Sequence, residues 1–267
     1  TNLKYNDILG IHFKYIKMKK ALLVLLIPFF ALAQTNSNRE YWQTNKWKAK
    51  SGRTSEFKAG VAKKTRKFNN TPETSMATYQ LITGADQGKF MRVMGNRSAV
   101  AFDADNTVEL SYWDKHVTPH VDHMEGNKRW WRMNSLSQNW DNTAAPARFI
   151  KMTTYTIKSS NRSDFFRFWR NNNKLQKSLG YTGTSGLFRL VSGGEAYELL
   201  EVKQYNSHTE GLGKMTDPNV DYVDAYNKMF GWRTHRNDEL AFKATIEKGG
   251  ITIETAELKP EMSSKLN

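Results

Sequence analysis

One pattern of residues occurs twice along the chain, and that repetition limits the fold more than any other feature. Arg53-Thr54-Ser55-Glu56-Phe57 opens an apolar-periodic stretch in the first half, and Arg162-Ser163-Asp164-Phe165-Phe166 opens one in the second. Tyr79-Gln80-Leu81-Ile82-Thr83-Gly84 then matches Phe188-Arg189-Leu190-Val191-Ser192-Gly193. A Gly-bearing turn and a second apolar run follow each, Phe90 to Met94 and Tyr197 to Val202. Near the end of each half, Trp131-Arg132-Met133-Asn134-Ser135-Leu136-Ser137 stands against Glu257-Leu258-Lys259-Pro260-Glu261-Met262-Ser263. Identities are few, so the order and spacing of the elements carry the match.

The local pattern fills in the elements. Trp42 to Lys50 and Arg148 to Lys158, the latter rich in Thr, Tyr and Ile, read as opening strands. Phe57, Val61 and Phe68 recur at helical spacing, as do Phe165, Phe168, Trp169, Leu175 and Leu179. Thr54 or Ser55 and Ser163 are the candidate N-caps, and Gly180 is a stop signal. Tyr222 to Phe230 predicts a helix, Arg236 to Lys248 another stopped by Gly249-Gly250, and Ile251 to Leu258 a closing strand.

Each half therefore reads β-α-β-β-α-β, the ferredoxin-like order, over residues 39–140 and 147–264, with Pro146 at the join. A four-stranded sheet with both helices on one face leaves its other face bare. Two such sheets cover each other and close a barrel. The predicted class is α+β: two tandem ferredoxin-like units forming an intrachain, pseudo-dimeric α/β barrel. This layout resembles the dimeric α/β-barrel superfamily, which includes NIPSNAP-like proteins and antibiotic-biosynthesis-type monooxygenases. The resemblance implies cofactor-independent oxygenases, haem-handling enzymes or proteins without a defined role, and it transfers no catalytic residue.

Alternation along the hairpin strands separates two faces. Tyr79, Leu81, Met91 and Val93, with Phe188, Leu190, Leu200 and Val202, make an apolar face on which Glu198 is the exception. This face is assigned to packing against the helices. The mixed opposite face, with Gln80, Phe90, Arg92, Arg189, Tyr197 and Glu201, is then expected inside the barrel. Arg189 and Glu201 form either a structural pair or, with Arg92 and Gln80, the polar anchors of a pocket walled by Phe90 and Tyr197. That pocket would suit a small, partly apolar molecule bearing a carboxylate or phenolate.

His116, His120 and His123, at i, i+4 and i+7, are candidate metal or haem ligands, although Pro119 interrupts the run. No cofactor is otherwise predicted. The absence of cysteine removes disulfides and thiolate chemistry. The basic run Lys63-Lys64, Arg66-Lys67 reads as a solvated helix face, and the tryptophans 113, 130, 131 and 140 as core.

Met18-Lys19-Lys20, the uncharged stretch Ala21 to Ala33 and the small-x-small exit Ala31-Leu32-Ala33 describe a signal peptide over 18–33. Residues 1–17 read as translated upstream sequence. The stretch is too short for a permanent span, and the expected location is periplasmic or secreted. With residues 1–33 removed, 35 basic and 25 acidic residues leave a net charge of +10. Nucleic acid is not an expected partner, because the third strand of neither unit places aromatics as an RNA-recognition module requires. The functional expectation is an exported small-molecule-binding or accessory protein. The alternatives are a cofactor-independent or haem- or metal-dependent monooxygenase-like enzyme, and a surface interaction protein with no small ligand.

Overall fold

A computed structural model describes residues 39–209 and 211–265. The expected upstream extension and signal peptide lie outside them. Nine strands form: β1 (Tyr41–Ala49), β2 (Ala77–Leu81), β3 (Phe90–Arg97), β4 (Val121–Met124), β5 (Lys128–Arg132), β6 (Phe149–Ile157), β7 (Thr184–Ser192), β8 (Glu198–Tyr205) and β9 (Ile246–Leu258). The helices are α1 (Thr54–Phe68), α2 (Thr107–His116), α3 (Arg162–Ser178), α4 (Tyr222–Phe230) and α5 (Thr234–Thr245).

Eight strands close a ring in the order β1-β3-β2-β9-β6-β8-β7-β5, and every pairing is antiparallel. β5 runs beside Tyr41–Thr44 of β1, and β4 takes the rest of the same edge beside Trp47–Ala49. The first-half strands lie in the order β5-β1-β3-β2 and the second-half strands in the order β9-β6-β8-β7. Within each half that is fourth, first, third, second, with β4 outside the ring. β2–β9 and β5–β7 weld the halves into one sheet.

The opening strands and the helix Tyr222–Phe230 fall within a residue of their expected bounds, whereas β3 and β8 end three residues later than expected, β7 begins four earlier and β9 five earlier. The caps differ. No side chain caps α1 or α3, whose N-cap positions are Arg53 and Asn161, whereas Asp221 caps α4 by accepting from the Asp224 amide at 2.9 Å. The last helix stops at Thr245, and the chain enters β9 at once, with Gly249 and Gly250 inside the strand. Pairing of Ile157 with Ile246 draws those residues into the sheet, and Gly249 (φ 72°) absorbs the irregularity.

The faces are reversed from the sequence-based assignment. Tyr79, Leu81, Met91, Phe188 and Leu200 pack inside the ring with Trp130, Ile150, Met152 and Ala256. Phe90 points outward against Phe57 of α1, and Leu187 and Leu199 pack outward with Phe165 of α3. A closed ring shields its inner face from water over most of its length, so it takes the more apolar face. The outer face can be mixed, because helices cover it only in part. In the basic run of α1, Lys64 is 4% exposed and belongs to the interior rather than to a solvated face.

A reciprocal exchange locks the halves. The short 3-10 turn Asn134–Leu136, after β5, places Leu136 in the second half's helix layer, where the Trp169 indole (3.1 Å) and the Asn173 amide (2.9 Å) donate to its carbonyl. The turn Pro260–Met262, after β9, places Met262 in the first half's layer. There the Thr65 and Thr78 hydroxyls donate to the Met262 carbonyl, each at 3.1 Å.

Candidate functional site

The lumen of the ring is an apolar chamber that becomes charged toward one end. A cavity of about 60 Å³ is walled by Trp42, Trp130, Trp140, Phe188 and aliphatic side chains. A second cavity of about 140 Å³ adjoins it and is lined by Lys46, Lys128, Glu125, Glu198 and Glu254. Thr44, Met91, Trp130, Met152 and Leu200 line both.

A buried ion pair stands near the apolar end. Arg132 donates to Glu40 through two bonds, Nε to Oε1 at 2.8 Å and Nη2 to Oε2 at 2.6 Å. The Trp42 indole (2.5 Å) and the Asn142 amide (2.9 Å) also donate to the same carboxylate. Burial opposes ionisation of Glu40, but the bonds from Arg132, Asn142 and Trp42 outweigh it and hold the carboxyl below its ordinary value. Trp42, Trp140 and Phe188 meet edge to face, with centroids 5.4–5.5 Å apart. Gly95 makes room for the first of these rings, because a Cβ there would come within 2.4 Å of Trp42.

The other end carries two groups of paired charges, borne by strands β1, β5, β8 and β9 and by the turns beside them. The Lys46 ammonium lies 2.5 Å from Asp86 and 2.9 Å from Glu254. Lys89 bonds Asp86 at 2.6 Å and also Glu125, and Lys128 bonds Glu198 at 2.6 Å. Burial disfavours the Lys46 charge, yet the bonds to Asp86 and Glu254 raise its pKa above the usual lysine value. Asp86 is held low against burial by Lys46 and Lys89. Gly193 (φ 93°) lets the β7–β8 turn approach the Asn127 carbonyl, where a Cβ would stand 1.9 Å away. The Trp130 indole donates to the Thr44 hydroxyl at 3.0 Å and so fixes the wall between the chambers.

None of the six residues expected in the pocket lines either chamber. Arg92, 3% exposed, lies in the first half's helix layer, where it donates to Thr65 at 2.9 Å and its guanidinium sits 5.1 Å from the Trp113 ring centre. Phe90 shares that layer, and Gln80 sits half-buried on the outward-facing register. Arg189 is exposed. Glu201 is buried toward the second half's helices, beside Lys203 at 2.9 Å and the Tyr155 hydroxyl at 3.5 Å. Tyr197, at φ 67°, packs against the same layer with Arg162 over its ring at 4.5 Å. Arg189 and Glu201 therefore do not form the anticipated lumen pair, and the expectation of an anionic ligand loses its guanidinium anchors.

The histidines are likewise separated. His116 ends α2 and its ring lies 4.2 Å from that of Tyr112, His120 ends a 3-10 turn, and His123 is exposed on β4. Pro119 breaks the helix that would have aligned them. No group of three or more His, Cys, Asp or Glu among the described residues is placed to hold a metal ion. Haem does not fit the lumen either. Its two chambers fall well short of the roughly 300 Å³ or more usual for cofactor-sized ligands, and no histidine lines them. No helix of the described residues is long and apolar enough to cross a membrane.

No protein-family model matches the chain. No curated protein sequence matches it. Solved structures do. A candidate chlorite dismutase aligns with 84% of this chain and 97% of its own, at 10% identity and a TM-score of 0.50. A candidate monooxygenase from Fusobacterium nucleatum aligns with 82% of this chain and 92% of its own, at 11% identity and a TM-score of 0.50. At such identities the likeness is one of fold: this chain shares the α/β-barrel architecture of those two proteins.

Proposed function

We propose that this chain is an exported binding or accessory protein that holds a small, partly apolar molecule in the lumen of its barrel. The observation that carries the reading is the pair of adjoining chambers in the lumen, one walled by indoles and aliphatic side chains, the other lined by charged groups. Lys128, with 38% of its side chain exposed, and Glu125, with 34%, stand at the rim of the charged chamber. Export rests on the Met18–Ala33 segment of the sequence. N-terminal sequencing of protein from the secreting cell is expected to begin at Gln34. The common strand order of the halves and their exchanged turns support a tandem duplication of one ferredoxin-like unit.

The test is to fill the lumen. Leu200→Phe adds bulk to the wall common to both chambers, so melting shifts given by small aromatic compounds in the wild type are expected to vanish. Undiminished shifts in a folded Leu200→Phe variant would place the ligand elsewhere and reject the reading. The oxygenase or haem-handling alternative draws its support from the shared fold alone.

A further inference from the structure

With the lumen reading above as the starting point, the polar groups on its walls determine which ligands it can admit. Every charged side chain that lines the two chambers is already paired within the wall. Lys46 lies 2.5 Å from Asp86 and 2.9 Å from Glu254, Lys128 lies 2.6 Å from Glu198, and Lys89 bonds Glu125. The aromatic wall is satisfied in the same way. The Trp42 indole donates to Glu40, that of Trp130 to Thr44 and that of Trp140 to Asn142, while the Tyr79 hydroxyl donates to the Ala147 carbonyl at 3.2 Å. None of these N–H or O–H groups is left for a ligand. An ion that enters must therefore separate an existing pair or give up its hydration without replacement, and both are costly.

The hydrogen-bonding capacity that remains is uncharged. Gln204, half-buried on β8, lines the smaller chamber, and its carboxamide has no hydrogen-bond partner among the described residues. Thr154, half-buried on β6, lines the larger chamber, and its hydroxyl likewise has none. A carboxamide offers two donors and an acceptor, and a hydroxyl offers both functions, so each matches a ligand carbonyl, amide or hydroxyl without demanding charge. Around Gln204 the smaller chamber is walled mainly by indole, phenyl and aliphatic groups. The larger chamber, about 140 Å³, is close to the roughly 150 Å³ of a cavity that takes up benzene. Met91 and Met152, on the wall common to both chambers, have flexible side chains that can repack around an apolar group.

We propose that the lumen selects an uncharged ligand, an apolar body of about one ring that carries a neutral amide, ketone or alcohol group. The body rests against Trp130, Leu200 and the two methionines, and the neutral group meets the Gln204 carboxamide. Gln204 is thereby the residue that sets specificity. The paired charges of the larger chamber act as a filter, which a carboxylate or an ammonium ion passes only by breaking a salt bridge.

Benzamide, benzoate, benzylamine and toluene, titrated calorimetrically into the full chain at pH 7, test the assignment. All four carry one ring, benzamide and benzoate have nearly the same shape, and toluene lacks the polar group. Benzamide is expected to bind about tenfold tighter than either ion, and about fivefold tighter than toluene. This series is decided on the wild type and needs no variant. Gln204→Leu is expected to bring benzamide to within about twofold of toluene while toluene binding stays in place. Binding of benzoate or benzylamine as tight as that of benzamide, and abolished by Leu200→Phe, overturns the uncharged assignment while the lumen reading stands. An undiminished preference for benzamide over toluene in Gln204→Leu overturns the role of Gln204. No binding of any of the four to the wild type overturns both the assignment and the lumen reading.

Discussion

The two helix-covered faces are built on the same strand plan and solve charge burial in opposite ways. Arg92 and Glu201 hold the same place in their hairpins: Arg92 sits opposite Thr78, one residue past the Tyr79–Met91 pair, and Glu201 sits opposite Leu187, one past Phe188–Leu200. Beneath α1 and α2, Arg92 and Lys64 are two buried cations, and one carboxylate, that of Glu109, bonds Lys64. Arg92 Nε and the Trp113 indole N–H meet no acceptor there. Beneath α3, α4 and α5 the buried hub is Asp238, which accepts from Arg167 at 3.0 Å, Asn171 at 3.0 Å and the Tyr226 hydroxyl at 2.8 Å. One face carries excess positive charge and spare donors; the other is matched. Topology sets where a side chain goes and leaves its charge free, so the unmatched layer is the pH-responsive one.

The contrast can be broken at its strongest point first. Asp238→Ala strands the Tyr226 hydroxyl and the Asn171 amide in a dry layer, and it is expected to cost about 3 kcal/mol in urea unfolding. A cost below about 1 kcal/mol would mean that the second layer is not held by that hub.

Next comes an alkaline rise in stability. Burial first, and then Arg92, push Lys64 down to about 8, against its bonds to Glu109. The unfolded chain keeps that proton to about pH 10.5. Between about pH 8 and 10 the unfolded state therefore holds more protons, and stability increases with pH, by on the order of 2 kcal/mol. Above about pH 10 the trend reverses, because burial raises Tyr79, Tyr155 and Tyr226, so that these ionise first in the unfolded chain. Unfolding midpoints across this range should show the rise in wild type and none in Lys64→Met.

At pH 7 the same substitution is expected to stabilise the fold by about 1 kcal/mol, since burial of the Lys64 charge outweighs its bonds to Glu109 and the Glu109 side chain, 25% exposed, can turn to water. A loss of stability would show that Lys64 contributes more through Glu109 and Asn69 than its burial costs. The smallest effect belongs to Glu201→Gln. Its partner Lys203 is 31% exposed, so less than about 1 kcal/mol should be lost.

Strands and helix starts were legible because the period of the apolar residues changes from 2 to 3.6 at the right places. The choice of face was not. Alternation sorts Met91 from Arg92, but both faces of these sheets are buried, and the sequence does not say which one is enclosed on all sides. The purer apolar set went to the lumen, the side with less access to water over most of its length. One signal for the charged chamber stood in plain view: Glu198 interrupts that apolar set, and the structure puts it on the chamber wall. Lys46 and Glu254, 208 residues apart, gave no such local sign, because their bond exists only once the ring has closed. Lys64 was hidden by its neighbours, since a basic run on a helix points in several directions and one of them is inward.

The exchanged turns set an order of events during synthesis. Met262 fills the centre of the first layer, yet it leaves the ribosome only after the entire second half. Until then the earlier half has a vacancy among Phe57, Val61 and Trp113, and its Thr65 and Thr78 hydroxyls lack the carbonyl they bond in the finished protein. The leading half alone is therefore expected to be less stable than the same residues in the whole chain, and its packing to be completed only when the last turn docks.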